Sequence, residues 1–150
     1  MTDDLDMRII TELARDARQT HTTLSRKIGV SDRRRINQLR ANNVIMNTVI
    51  PNASKLGYEI IAMIVLKVDI GHIEEIEQQL VNFINIRYVA DCTGRYDIIM
   101  GAWVSSSKEL QNFIKVRLVK IAGIKESETF IVMDVEKNEI DWLQNIKGPQ

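Results

Sequence analysis

Residues 22–40 read TTLSRKIGVSDRRRINQLR, and this stretch decides how the first third of the chain folds. Leu24 and Ile28 share one face of a helix that Thr22 or Thr23 can cap. Gly29 is the residue type that ends a helix. Ser31, two positions on, suits the start of another, whose inward positions are Ile36 and Leu39 and which Asn42-Asn43 closes. Two short helices joined through Gly29-Val30-Ser31 make a helix-turn-helix, a motif whose second helix lies in the major groove of DNA. Here that helix carries Arg33, Arg34, Arg35, Asn37, Gln38 and Arg40. Arginine pairs with guanine or phosphate, and Asn or Gln bonds the edge of adenine. A solvated polar face is the plain alternative. Three consecutive arginines also point in different directions, so they cannot all meet one groove.

Upstream, Leu5, Ile9 and Leu13 recur every four residues with Ile10 and Ala14 beside them, the stripe of an amphipathic helix. Asp3 or Asp4 can cap it, and a polar break at residues 18–20 ends it. The chain of 150 residues has a formal net charge of zero, which hides a polarised distribution. Residues 1–50 hold nine Lys/Arg against six Asp/Glu, and the remainder carries the compensating excess of acid. The basic part comes first, as a nucleic-acid-binding segment would.

Several classes are excluded. One cysteine, Cys92, forms no internal disulfide, and two distant histidines, His21 and His72, give no zinc spacing. No metal and no cofactor is expected, since neither a glycine-rich phosphate loop nor a Ser/His/Asp set appears. The longest apolar run, Ile60 to Leu66, is too short to cross a bilayer. The acidic N-terminus lacks the basic and apolar parts of a signal peptide. The sequence therefore predicts a cytoplasmic protein with no membrane association.

Downstream of the helices, residues 44–58 contain Pro51 and Gly57 and read as a hinge. The expected division is a helical domain over 1–45, a linker over 46–57, and a second domain with a C-terminal tail over 58–150. The second domain reads as strand 60–68, helix 73–83, strand 86–92, a turn at 93–96, strand 97–104, a helix capped by Ser107 running to Ile121, and strand 129–135. That order, βαββαβ, is the ferredoxin-like arrangement of an antiparallel sheet with two helices on one face. The whole is an α+β chain. A sheet covered on one face should alternate apolar and polar residues. Instead Ile61, Met63 and Val65 are as apolar as Ile60, Ala62, Ile64 and Leu66 on the opposite side, and the other strands behave likewise. The second face is expected to pack on a copy of itself, giving a homodimer.

Together these pieces resemble the Lrp/AsnC (feast/famine) transcription regulators from Leu5 to about Leu143. The matching fragments are Leu5-Asp6-x-x-Ile9-Ile10, Leu24-Ser25-x-x-Ile28-Gly29-Val30-Ser31, Arg34-Arg35-Ile36-x-x-Leu39 with Val44-Ile45, Leu56-Gly57-Tyr58, and Thr93-Gly94-x-Tyr96-Asp97. The resemblance implies a RAM/ACT-like second domain, dimers that assemble into octamers or similar rings, and double-stranded DNA with palindromic sites as partner. It makes Ser31, Arg33, Arg34, Arg35, Asn37 and Gln38 the candidate DNA contacts. It also implies an amino-acid effector bound between subunits at Thr93, Gly94, Arg95, Tyr96 and Asp97, with Thr129 on the neighbouring strand. Backbone N–H groups around Gly94 could hold a carboxylate, and Asp97 could accept from an ammonium or simply start its strand. Compared with the family pattern, the recognition helix is shorter by about three residues, close to one turn, which favours phosphate holding over base reading. Two other readings are a sirohaem-decarboxylase-type enzyme, for which His72 alone is a meagre acid–base set, and a ligand-binding partner that no longer reads DNA.

Overall fold

A computed structural model of the chain describes residues 3–29 and 33–136. The expected cap at Ser31 and the C-terminal tail from residue 137 onward lie outside the described residues. The chain forms two compact units, one holding the three N-terminal helices and the other spanning residues 51–134.

The first unit contains α1 (Asp4–Arg15), α2 (His21–Ile28) and α3 (Arg33–Ala41). Asp3 caps α1 through a reciprocal capping box with Asp6. The cap of α2 is Thr20, not Thr22 or Thr23. Its hydroxyl accepts from the Thr23 backbone at 3.2 Å, so the helix starts earlier and both later threonines fall inside it. Gly29 closes α2 at φ 83°, a left-handed conformation open to glycine at little cost. Ile9, Leu13, Leu24, Ile28, Ile36 and Leu39 form the core, with Leu5, Ile10 and Ile45 against it.

The second unit follows βαββαβ: β1 (Ile60–Val68), α4 (Ile73–Leu80), β2 (Ile86–Asp91), β3 (Ile98–Val104), α5 (Ser107–Asn112) and β4 (Ile124–Ile131). The sheet order is β2-β3-β1-β4, and every neighbouring pair is antiparallel. Of the expected linker, residues 51–57 belong to this unit; Ala53 is buried and Ser54–Leu56 form a short 3-10 turn.

Three expectations change. The helix predicted over 73–83 ends at Leu80. The next helix is capped by Ser106 rather than Ser107, and after Asn112 it widens into a π-type stretch, Phe113–Arg117, then tightens over Leu118–Lys120. The widened stretch leaves Phe113 and Leu118 both buried against the sheet.

The last strand starts at Ile124, directly after Gly123, and stops at Ile131, four residues before its expected end. Lys125, Glu126, Ser127 and Glu128 conceal it, because an edge strand needs one backbone ladder and no buried side chains.

The sheet has the two predicted faces. Ala62, Ile64, Leu66, Val68, Ile98, Met100, Ala102 and Val104 are buried beneath the helices. The other face keeps Ile61, Met63, Val65, Ile99 and Trp103 only partly covered. Phe130, opposite Met63, stands half-exposed on that same side.

Candidate nucleic-acid interface and ligand turn

On α3 the inward stripe is Ile36 and Leu39, and most of the residues beside them turn outward. Arg33, Arg34, Asn37 and Gln38 are exposed and line one shallow depression together with Ala41. Four of the expected DNA contacts are therefore brought to one surface. That surface offers two guanidinium groups and two carboxamides around an alanine methyl. The guanidiniums suit phosphate or guanine, the carboxamides suit adenine, and the methyl suits thymine.

Arg35 is placed differently. It is two-thirds covered, and its Nη1 donates to Asp6 Oδ1 at 3.1 Å and to Asp3 Oδ2 in a shorter bond. The Arg35 guanidinium holds the Asp3 carboxyl below the usual carboxylate range, and its own proton is bound more tightly in return. The sequence singled out Asp3 as a cap but did not link either aspartate to Arg35, which lies 32 residues from Asp3. The three consecutive arginines thus split, two outward and one toward α1.

The turn between β2 and β3 is built around Gly94, at φ 126° with no atom within 4 Å of where a Cβ would stand. Thr93, Gly94 and Arg95 are exposed, and the Arg95 guanidinium lies 5.2 Å from the Tyr96 ring centre. The Cys92 N–H donates to the Asp97 carbonyl at 2.9 Å, closing the turn, and the Asp97 N–H donates to Leu66 at 2.9 Å.

The Asp97 carboxylate is engaged at both oxygens. Oδ1 accepts from Lys67 Nζ at 2.9 Å and Oδ2 from the Val68 N–H at 2.9 Å. Lys67 and that N–H hold its pKa below the ordinary value. It therefore fastens the turn to β1, and any ammonium there would have to share it with Lys67.

Tyr96 reaches to β4, where its hydroxyl donates to Glu128; the neighbouring negative charge pushes the phenol pKa up. Thr129 follows Glu128, opposite Ile64 on β1, half-covered and on the helix-bearing side. So Thr93 to Asp97 form one turn, while Thr129 adjoins it only through the Tyr96–Glu128 bond. Lys67 and Glu128 were not found from sequence, since nothing local marks a lysine on a strand as the partner of an aspartate 30 positions away.

At one edge of the open face, Arg87 stacks over Tyr58 at 5.5 Å and Trp103 at 5.4 Å, and donates to the Tyr58 hydroxyl at 3.1 Å. Among the described residues no group of three or more His, Cys, Asp or Glu is placed to hold a metal.

Comparison with known proteins agrees with this arrangement. A family model for the AsnC-type helix-turn-helix domain matches residues 3–40, and one for the Lrp/AsnC ligand binding domain matches residues 61–141. An HTH-type transcriptional regulator of Pyrococcus furiosus is 34% identical over 141 residues, covering 91% of this chain and 95% of its own. The HTH-type transcriptional regulator FL11 of the same organism is 34% identical over 139 residues, 90% of this chain and 91% of its own. Among solved structures, AsnC of E. coli superposes with a TM-score of 0.84 at 22% identity, covering 92% of this chain and 96% of its own. A transcriptional regulator from Neisseria meningitidis, solved in complex with L-Met, gives 0.85 at 17% identity, covering 92% and 94%. At those identities the two structures speak for the fold.

Proposed function

This chain belongs to the Lrp/AsnC family of transcription regulators, and from that premise we propose how its two units divide the work. As a member it is a DNA-binding regulator, pairing a helix-turn-helix with a ligand-binding domain. In our reading the outward face of α3 takes the DNA. Arg33 and Arg34 hold phosphate or guanine, Asn37 and Gln38 bond base edges, and Ser31 is kept as a candidate contact from its position in the sequence. The observation that carries this is the shared exposed surface of those four α3 side chains, opposite the buried Ile36 and Leu39.

The same reading makes the sheet unit a homodimer through its open face, where Met63, Val65, Trp103 and Phe130 would otherwise keep apolar area in water. Such dimers would assemble further into octamers or similar rings. The effector would be an amino acid at Thr93–Asp97. Its carboxylate would meet the N–H groups around Gly94 and the Arg95 guanidinium, with Asp97 bracing the turn and Thr129 at its margin. The L-Met bound by the neisserial protein of the same fold supports this class of ligand. Of the stretch 46–57 expected as a linker, residues 46–50 would connect the reader to the sensor, since 51–57 belong to the sheet unit. We place the protein in the cytoplasm, consistent with the absence, among the described residues, of a helix long and apolar enough to cross a membrane.

The test is the affinity of the purified chain for its own upstream DNA across a salt series, against an unrelated fragment, with and without single amino acids. Preference for its own fragment, with affinity falling steeply in salt and shifting with one amino acid, is expected. Equal, weak binding to both fragments would overturn base reading and favour a partner or ligand role.

A further inference from the structure

The capping box at the start of α1 has a feature that helix capping does not need. Both members are aspartates, and each uses one carboxylate oxygen for the cap. Asp3 Oδ1 accepts from the Asp6 N–H at 2.8 Å, and Asp6 Oδ2 from the Asp3 N–H at 3.1 Å. The two remaining oxygens, Asp3 Oδ2 and Asp6 Oδ1, both accept from Arg35 Nη1 on α3. All four oxygens are engaged. Asp6 is the one buried charged residue among those described, at 8% exposure. A buried carboxylate is tolerated where hydrogen bonds and a counter-charge satisfy it.

We propose that Asp3, Asp6 and Arg35 form a positioning clamp that sets the rotation of the recognition helix about its axis, and so the precision with which Asn37 and Gln38 meet base edges. The proposal rests on the DNA-binding reading of α3. The physical need for a clamp is plain. α3 has nine residues and anchors itself to the core through two side chains, Ile36 and Leu39. Apolar contact is non-directional, so two knobs leave the helix some freedom to roll. Arg35 flanks that stripe. A planar guanidinium donating along fixed directions into two carboxylates, themselves locked to backbone N–H groups, removes the freedom.

Helix geometry converts roll into displacement. A side chain tip about 8 Å from the axis moves roughly 1.4 Å for each ten degrees, enough to lose a base-edge hydrogen bond. The clamp also neutralises Arg35. Of the three consecutive arginines, only Arg33 and Arg34 should then count as phosphate contacts.

The test uses the full chain and two DNA fragments, its own upstream region and an unrelated one, over a salt series. Asp6→Asn, the milder Asp3→Asn at the exposed end of the box, and Arg35→Lys are compared with Arg34→Ala. The clamp variants should lower the ratio of specific to non-specific affinity by about tenfold, the worth of one bidentate base contact, without reducing non-specific binding. Arg35→Lys should leave the salt slope unchanged, and Arg34→Ala should reduce it by about 0.9.

Simple electrostatics predicts the opposite sign for the aspartates. If Asp3→Asn and Asp6→Asn tighten binding to both fragments equally, with no loss of discrimination, the clamp is overturned. Full discrimination retained by Arg35→Lys would also overturn it, since a point charge would then suffice.

A second readout needs no DNA. Asp6→Asn and Arg35→Met are combined in a double-mutant cycle on thermal unfolding of the helical unit. Melting shifts that fail to add support a direct bond, and additive shifts overturn it. Should the wild-type chain not discriminate between fragments, the DNA-reading premise fails while the cycle still judges the bond.

Discussion

The two units of this chain reach a defined structure by different means. Among the described residues, the helical unit has six buried apolar side chains in its core, and the sheet unit has fifteen. With so few, the helical unit uses directional polar bonds to settle what packing leaves loose. Arg35 ties α3 to the start of α1, Lys27 pairs with Glu12 at 3.0 Å, and Arg8 donates to the Ile28 carbonyl at 2.9 Å. The sheet unit is settled by backbone ladders and a continuous apolar layer. Polar bonds there serve local ends, such as Glu109 accepting from Ser105 and Asn85, or Asp97 fastening its turn. The lesson is one of proportion: where the core is small, charged bonds decide geometry, and where it is large they shape sites.

Truncating a core residue in each unit should break the comparison if it is wrong. Ile64→Ala and Ile9→Ala remove the same atoms from side chains that are both fully buried. Each should cost about 3 kcal/mol. The sheet unit should absorb that loss and stay folded, whereas the helical unit should unfold at room temperature, followed by amide exchange in each unit. Two folded units with equal losses would refute the contrast.

Backbone strain gives a smaller effect. Gly94 holds φ 126°, outside the pocket of left-handed space that other residues visit, while Gly29 holds φ 83°. Gly94→Ala should cost about 2 kcal/mol and weaken any ligand at the turn, and Gly29→Ala about 1 kcal/mol. Denaturant midpoints on the two variants measure both.

Acid should separate the units most gently. In the helical unit Asp3 is held low by Arg35, Glu12 by Lys27, and Asp16 by the Arg18 backbone and side chain. A carboxyl with a depressed folded pKa contributes stability that is complete above its unfolded value, near pH 4, and lost as pH falls through the folded value. In the sheet unit Asp97 and Glu109 behave alike, but Glu77 lies beside the Asp91 carboxylate and is pushed up. Its contribution has the other sign, being full below its unfolded value of 4.5 and lost as pH rises through the folded one. Between pH 5 and 3 the helical unit should therefore lose stability faster, read by chemical shifts of Leu24 and Ile64.

Much of this was legible in the chain. The stripe Leu5-Ile9-Leu13, the stop at Gly29 and the run 60–68 are local signals, since helical and strand periodicity need only neighbours in sequence. The misjudged ends have a common cause. Thr20, Thr22 and Thr23 are all good caps, and only the placed backbone selects Thr20. The polar residues 125–128 carry no strand signal because β4 owes its existence to pairing with β1.

The sequence by itself determined the order of elements, the basic face of the second helix-turn-helix segment, the two-sided apolar sheet and the turn around Gly94. These follow from spacing and residue type, which act over a few positions. The tertiary structure alone decided that Arg35 faces two aspartates while Arg33 and Arg34 face outward, and that Asp97 is held by Lys67. Charged groups pair with whatever the fold brings within 3–4 Å. That distance is set by packing between elements far apart in the chain, which no local pattern records.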